Sequence, residues 1–344
     1  MHQPFVPSHW RGIAYGLLAA VGYTLSNVFL RMSTDLDPFW VSFVKAIPTV
    51  ALFAPIALWE LLGNRGRTLP TRKTLLLLVG ASLCGHIFGN VMFQWSLGVV
   101  GVAMSVPLCL GSMILGGALL GKFFLGEEIG LRAARAMVML LLAIAVLGLG
   151  ARAAAVGVTE QVPPWYLVAA GVLTPVIAGF GYAILSVGVR NGVSSNVSVF
   201  MSLSVVCGVG MVVLGPICLV TAGFRELLAT NSYQLAVMLI AGIWNAVAFL
   251  SLTLSLRHTS VLYVNSLNAS QNAMAAVAGV LLFQEPLTVY LIVGVILTAL
   301  GLAMMSRKQE SVRVALEVAE EPPMAIPRDD HSAENSPLAQ EQTT

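Results

Sequence analysis

The side chains of this chain that can do chemistry are, with one exception, uncharged, and they recur at helical spacing. Lys45 is the only Lys, Arg, Asp or Glu clearly inside an apolar segment rather than near its end. His86, Asn90 and Gln94 follow one another at four-residue steps, as do Tyr23 and Asn27. Asn265, Asn268, Gln271 and Asn272 form a further stripe, Asn245 lies beside Trp244, and Tyr182 stands in another apolar stretch. Residues four apart share one face of a helix, so each stripe presents its polar groups to one neighbour or one cavity. Amides of this kind hydrogen-bond zwitterions, sugars or nucleobases. They also join helices, each such bond contributing about 0.6 kcal/mol in a membrane. Taken together the stripes are more than packing requires, so Tyr23, Asn27, Lys45, His86, Asn90, Tyr182, Asn245, Asn268 and Gln271 are the expected substrate-binding residues, lining a polar cavity. Within it Lys45 can anchor an anionic group such as a carboxylate, or instead snorkel to the interface, since it lies only about two turns into its helix. His86, the only histidine inside a span, can carry a proton near neutral pH or serve as a neutral donor.

The elements that must position these residues are membrane helices. Hydrophobic residues make up 57% of the chain and charged residues 10%, against about 25% charged in a soluble domain. A helix needs about 20 apolar residues to cross the hydrocarbon core. Charge-free intervals place spans near Gly12–Leu30, Pro38–Leu62, two between Lys73 and Lys122 with a return at Ser96–Gly101, then Leu131–Gly150, Trp165–Val189, Val197–Val220, Leu235–Leu256, Val261–Phe283 and Leu287–Met305, ten in all. The expected class is an all-α integral membrane protein. The first apolar run carries no cleavage motif and is long enough to remain as a span. The four cysteines lie in apolar stretches and read as small buried hydrophobes.

Orientation follows from Lys and Arg in alternate loops. Twelve fall on one side, from Arg11 to Lys308, and three on the other, Arg31, Arg152 and Arg225. Both termini are therefore expected in the cytoplasm. Eight of the 16 acidic residues lie after residue 308, in a tail rich in Glu, Pro, Ser and Gln. Such a composition lacks the apolar surface to order itself, apart from one short helix allowed over Ser311–Glu321.

Two stretches echo each other. Ser96-Leu97-Gly98-Val99-Val100-Gly101 leads through an apolar run to Leu125-Gly126-Glu127, and Ser255-Leu256-Arg257-His258-Thr259-Ser260 leads through another to Phe283-Gln284-Glu285. Five spans separate them, so one Glu falls on each side of the membrane and the halves are inverted. Both glutamates read as markers at helix ends rather than as the working site. The layout is thus ten transmembrane helices in two inverted five-helix repeats, over residues 1–155 and 156–308, with a disordered acidic cytoplasmic tail over 309–344.

With these motifs the sequence resembles the EamA-type members of the drug/metabolite transporter superfamily. The resemblance covers residues 11–306. It rests on the repeated apolar-x-Glu turns, on the glycine-containing last helix (Gly294 to Gly301), and on the entry to the second span from Pro38 to Lys45. It implies a secondary transporter that exports or exchanges small polar metabolites, amino acids or related zwitterions foremost, by alternating access in a bacterial inner membrane. Its partners are then a small-molecule substrate and the lipid bilayer, with no nucleic acid and no cofactor. A carrier of nucleotide-sugars or other phosphorylated metabolites would need several basic groups in the cavity, and only Lys45 is available. An enzyme is disfavoured. Ser82 and His86 would share one helix, His258 lies in a loop, and no H-E-x-x-H motif or Asp pair is present. A channel lacks its usual rings of charged residues.

Overall fold

The computed structural model describes residues 9–63, 70–125, 129–194, 197–258 and 261–320, and these are helical throughout, with no strand among them. The helices are α1 His9–Arg31, α2 Pro38–Leu62, α3 Arg72–Cys84, a π-helical segment Gly85–Val91 continuing into α4 Met92–Val99, α5 Gly101–Leu125, α6 Leu131–Thr159 and α7 Trp165–Ser194. They continue with α8 Val199–Thr221, the short α9 Gly223–Ala229, α10 Ser232–His258, α11 Val261–Phe283 and α12 Val289–Glu320. Eight helical runs are long and apolar enough to cross a membrane, counting Arg72–Val99 as one; Ser270–Phe283 and Val289–Met304 are shorter apolar stretches. Large apolar side chains face outward, as on Val212 and Leu281, which are 75% and 73% exposed. Outward-facing hydrocarbon of this kind suits a lipid solvent rather than water. The α12 helix runs on past Lys308 to Glu320, through the start of the expected tail; residues 321–344 lie outside the described residues.

Helix starts follow local chemistry. Asp37 caps α2, its Oδ1 accepting from the backbone N–H of Phe39 and Trp40 at 3.0 Å each, with Pro38 at the first helical position. Thr71 caps α3 and Ser198 caps α8 in the same way. Ser198 also donates to the Glu60 carboxylate at the end of α2.

The helices pair in a pattern that runs through both halves of the chain. α1 packs on α10 and α11, while α7 packs on the α3–π–α4 run and on α5. Across the middle, α2 meets α8, α5 meets α11 and α6 meets α12. The largest buried cluster joins Leu30, Val44, Val106, Ala178, Met238 and Ala275, which come from six different helices.

One carboxylate ties an end of the bundle together. The sequence places Glu285 in a short link, yet it is 4% exposed. Its oxygens accept from the backbone N–H of Val102 (2.9 Å) and Ala103 (2.8 Å), so it caps the N-terminus of α5 from the far half of the chain. Arg31, at the end of α1, donates to the same carboxylate through Nε at 3.1 Å and lies over the Phe283 ring at 5.3 Å. Gly101 makes the approach possible. Its φ of +77° suits glycine, and a Cβ there would lie 2.3 Å from the carboxylate. The chain returns to place the acid through Gln284, at φ 54°, and the Glu285 N–H donates to the Gly279 carbonyl at 3.0 Å. Glu127, the matching acid of the first half, lies outside the described residues.

Removing one partner of a buried charge set leaves the other uncompensated, a loss of about 3–5 kcal/mol. Glu285→Ala and Gly101→Ala are therefore each expected to lower the apparent melting temperature of the detergent-purified protein by several degrees. Because they break the same contact, the double variant should lose less than the sum of the two.

Candidate functional site

At the centre of the bundle four of the expected residues form one hydrogen-bonded chain. Lys45, on α2, is 9% exposed and donates from Nζ to Asn90 Oδ1 at 2.9 Å. The Tyr182 hydroxyl, on α7, donates to the same oxygen at 2.7 Å. Asn90 Nδ2 meets His86 Nδ1 at 3.0 Å, and His86 Nε2 meets the Val206 carbonyl of α8 at 3.0 Å. Lys45 therefore turns inward and does not snorkel to an interface.

The chemistry of the partners orients every member. A backbone carbonyl only accepts, so His86 Nε2 carries the proton and Nδ1 is the bare nitrogen. Asn90 must then give its N–H to His86, which points its oxygen at Lys45 and Tyr182. The neutral His86 tautomer is engaged on both nitrogens, and a second proton on Nδ1 would break the bond to Asn90. In this arrangement His86 orients the Asn90 amide.

Local structure explains the placement. His86 and Asn90 lie in the π-helical segment, where the backbone winds more widely than in an α-helix; such segments often occur at functional sites. The change of winding separates Gln94 from its stripe. Instead of joining His86 and Asn90 it donates from Nε2 to the Leu30 carbonyl at 3.0 Å, satisfying an end of α1. Opposite His86, a Cβ on Gly210 would lie 2.4 Å from the imidazole, so a bare glycine makes the ring's seat on α8.

The other expected residues divide. Tyr23, on α1, is half-buried and takes no part in the hydrogen-bonded chain. Asn27 on α1 and Asn245 on α10 are half-buried and take no part in the hydrogen-bonded chain. Gln271 on α11 is buried. The side chains of Asn265 and Asn268 lie outside the described residues. Asn272 is fully buried, and neither of its amide atoms has a partner among the described residues. The connected polar centre comes from α2, the π segment, α7 and α8. The sequence offered Lys45, His86, Asn90 and Tyr182 but no sign that Val206 completes the set, because a backbone acceptor has no side-chain signature.

Electrostatically the centre is unbalanced. An ammonium has three donors, and among the described residues only Asn90 accepts from Lys45. A charge at mid-membrane costs about 2.5–3.5 kcal/mol, whereas a polar bond in a membrane returns about 0.6 kcal/mol on average. One neutral acceptor offsets only part of that cost. Neither a disulfide nor a His, Cys, Asp or Glu cluster suited to a metal occurs among the described residues.

An apolar-surfaced helical bundle with a polar, cationic centre defines a multi-pass membrane protein. The model of the EamA-like transporter family matches this chain twice, over residues 10–149 and 169–307, and the chain belongs to that family. Comparison with curated proteins gives no match. Among solved structures, one crystal structure superimposes with a TM-score of 0.57 at 16% identity, covering 87% of this chain and 98% of the other, a likeness of fold.

Because Gln also offers one donor and one acceptor, His86→Gln should keep both bonds and retain most of the family's transport activity once a substrate is in hand. His86→Ala should lose most of it, at equal membrane abundance. Gly210→Val, which fills the imidazole's seat, should resemble His86→Ala in the same uptake assay.

Proposed function

We propose that this protein is a secondary transporter that moves small, carboxylate-bearing polar metabolites across a bacterial inner membrane by alternating access. The observation that carries this reading is the Lys45–Asn90–Tyr182–His86 chain, a cationic, oriented polar cluster buried among helices from both halves of the molecule. Intramembrane polar groups normally face a pathway or a partner, and this cluster has one charge left open to a ligand. The two family matches and the balanced pairing of helices support ten spans in two inverted five-helix repeats. In that layout a central ligand is exposed alternately as the halves rock. The Arg31, Glu285 and Gly101 end then faces the outside, and both termini face the cytoplasm.

Export or exchange is favoured over proton-driven uptake. No Asp or Glu lies toward the middle of a span, Glu60 standing in the last turn of the second, and His86 uses both nitrogens internally. The carrier of phosphorylated metabolites is disfavoured by the same centre, since a single ammonium is a poor match for a phosphate's charge.

Topology is testable with single cysteines in a cysteine-free background and a membrane-impermeant maleimide. Thr34→Cys and Glu160→Cys should label in intact cells, whereas Thr71→Cys and Ser195→Cys should label only after permeabilisation. Thr34 and Ser195 reporting from the same side would exclude the inverted repeat. For the site, comparison of metabolites exported by overproducing cells identifies a substrate for proteoliposome uptake. Lys45→Met, Asn90→Ala and Tyr182→Phe should each reduce that uptake at least about tenfold, as expected where a buried polar partner is left unpaired, with membrane abundance unchanged. Normal uptake by all three would exclude this centre as the binding site.

A further inference from the structure

Resting on that reading of the centre, the geometry points to a substrate of net charge −1: the site takes a monocarboxylate in preference to the amino acid of the same skeleton. This departs from the zwitterion expected from the sequence.

The argument is one of unmatched donors. Lys45 brings a full positive charge into the bundle and spends one of its three donor directions on Asn90. Asn90 Oδ1 already accepts from two donors, and its N–H is committed to His86. His86 in turn is held by Val206. What remains around the ammonium is donor capacity: the other two N–H directions of Lys45. A carboxylate satisfies these with its two oxygens and cancels the charge.

The ammonium of a zwitterion has no such match. Among the described residues the acids beside the membrane helices sit at their ends and in the links: Asp35 and Asp37 between α1 and α2, Glu60 in the last turn of α2, Glu160 beyond α6, and Glu285 held by Arg31, while Glu226 lies in the short α9 and Glu310, Glu317 and Glu320 in the part of α12 beyond Lys308. None of these acids lies toward the middle of a span; Glu60 is the nearest, at the end of the second. The acceptors left in the cluster are neutral lone pairs, on the Tyr182 oxygen and the Val206 carbonyl. A bound zwitterion would leave the site with a net positive charge and place two ammonium groups in one apolar enclosure. Like charges brought together in this way cost several kcal/mol, so the expected preference for the monocarboxylate is more than about tenfold.

The test is a matched charge series. Three skeletons, one short alkyl, one branched alkyl and one aryl, are each presented as the monocarboxylate, the α-amino acid and the primary amine. The readouts are thermal stabilisation of the purified full-length protein and inhibition or counterflow of uptake in proteoliposomes. The expected result is that monocarboxylates act at concentrations more than about tenfold below those of the matching amino acids, with the amines inactive. In Lys45→Met the advantage of the carboxylates should vanish, and Lys45→Gln provides the same reading should the methionine variant fail to fold. Amino acids acting as well as or better than the carboxylates, with Lys45 variants still weakened, would overturn the charge assignment and leave the site in place. A series that neither stabilises the protein nor affects uptake, or that acts equally on wild type and Lys45 variants, would overturn both.

Discussion

A charge enclosed by apolar helices must find its match inside the bundle, because lipid supplies neither counter-ion nor hydrogen bond. Among the described residues Glu285 and Lys45 are such charges, and they are treated differently. The Glu285 carboxylate is met in full by the Arg31 guanidinium and by two backbone N–H groups at the start of α5. The Lys45 ammonium is met by one neutral amide oxygen. A saturated charge fixes geometry, and an unsaturated one invites a ligand. That difference separates two groups that are alike in being buried and ionisable.

The saturated site organises one end of the molecule. Through it the end of α1, the start of α5 and the α11–α12 link share a single anchor. The favourable N-terminal end of the α5 dipole adds to the attraction. The same end is joined by Trp40 Nε1 donating to Thr230 Oγ1 at 3.0 Å and Gln234 Nε2 donating to Asp35 Oδ2 at 2.8 Å, which couple the α1–α2 link to the approach to α10.

The unsaturated site depends on a local change of winding. The π segment lets Asn90 bond back to His86 while Gln94, one step further along the stripe, is carried away to cap α1. His86 then serves as a fixed post between Val206 and Asn90, and the asparagine's oxygen faces the lysine because its N–H group is already taken. The orientation of the amide, and with it the sign of the potential offered to a ligand, is set by a carbonyl on another helix.

Much of this was present in the sequence. Charge-free intervals locate helices because crossing a membrane is a sum of local transfer terms, and such a sum needs no knowledge of partners. The ninth span, expected at Val261–Phe283, coincides with α11, whereas α6 and α12 run further than hydropathy suggested, since a helix continues beyond the apolar stretch that inserts it. The choice of Lys45, His86, Asn90 and Tyr182 was also legible, because polar groups in apolar segments stand out by type alone. What the sequence did not contain was their connection. Which residues meet depends on the rotation of each helix about its axis and on its neighbours across the bundle. The π segment broke the expected phase at Gln94, and the acceptor for His86 is a backbone atom. Glu285 looked like a residue in an exposed link, and its partner is the start of a helix more than 180 positions earlier. Sequence determined which groups would have to be matched inside the membrane; tertiary packing alone decided that Glu285 would be matched in full and that Lys45 would meet a single neutral acceptor.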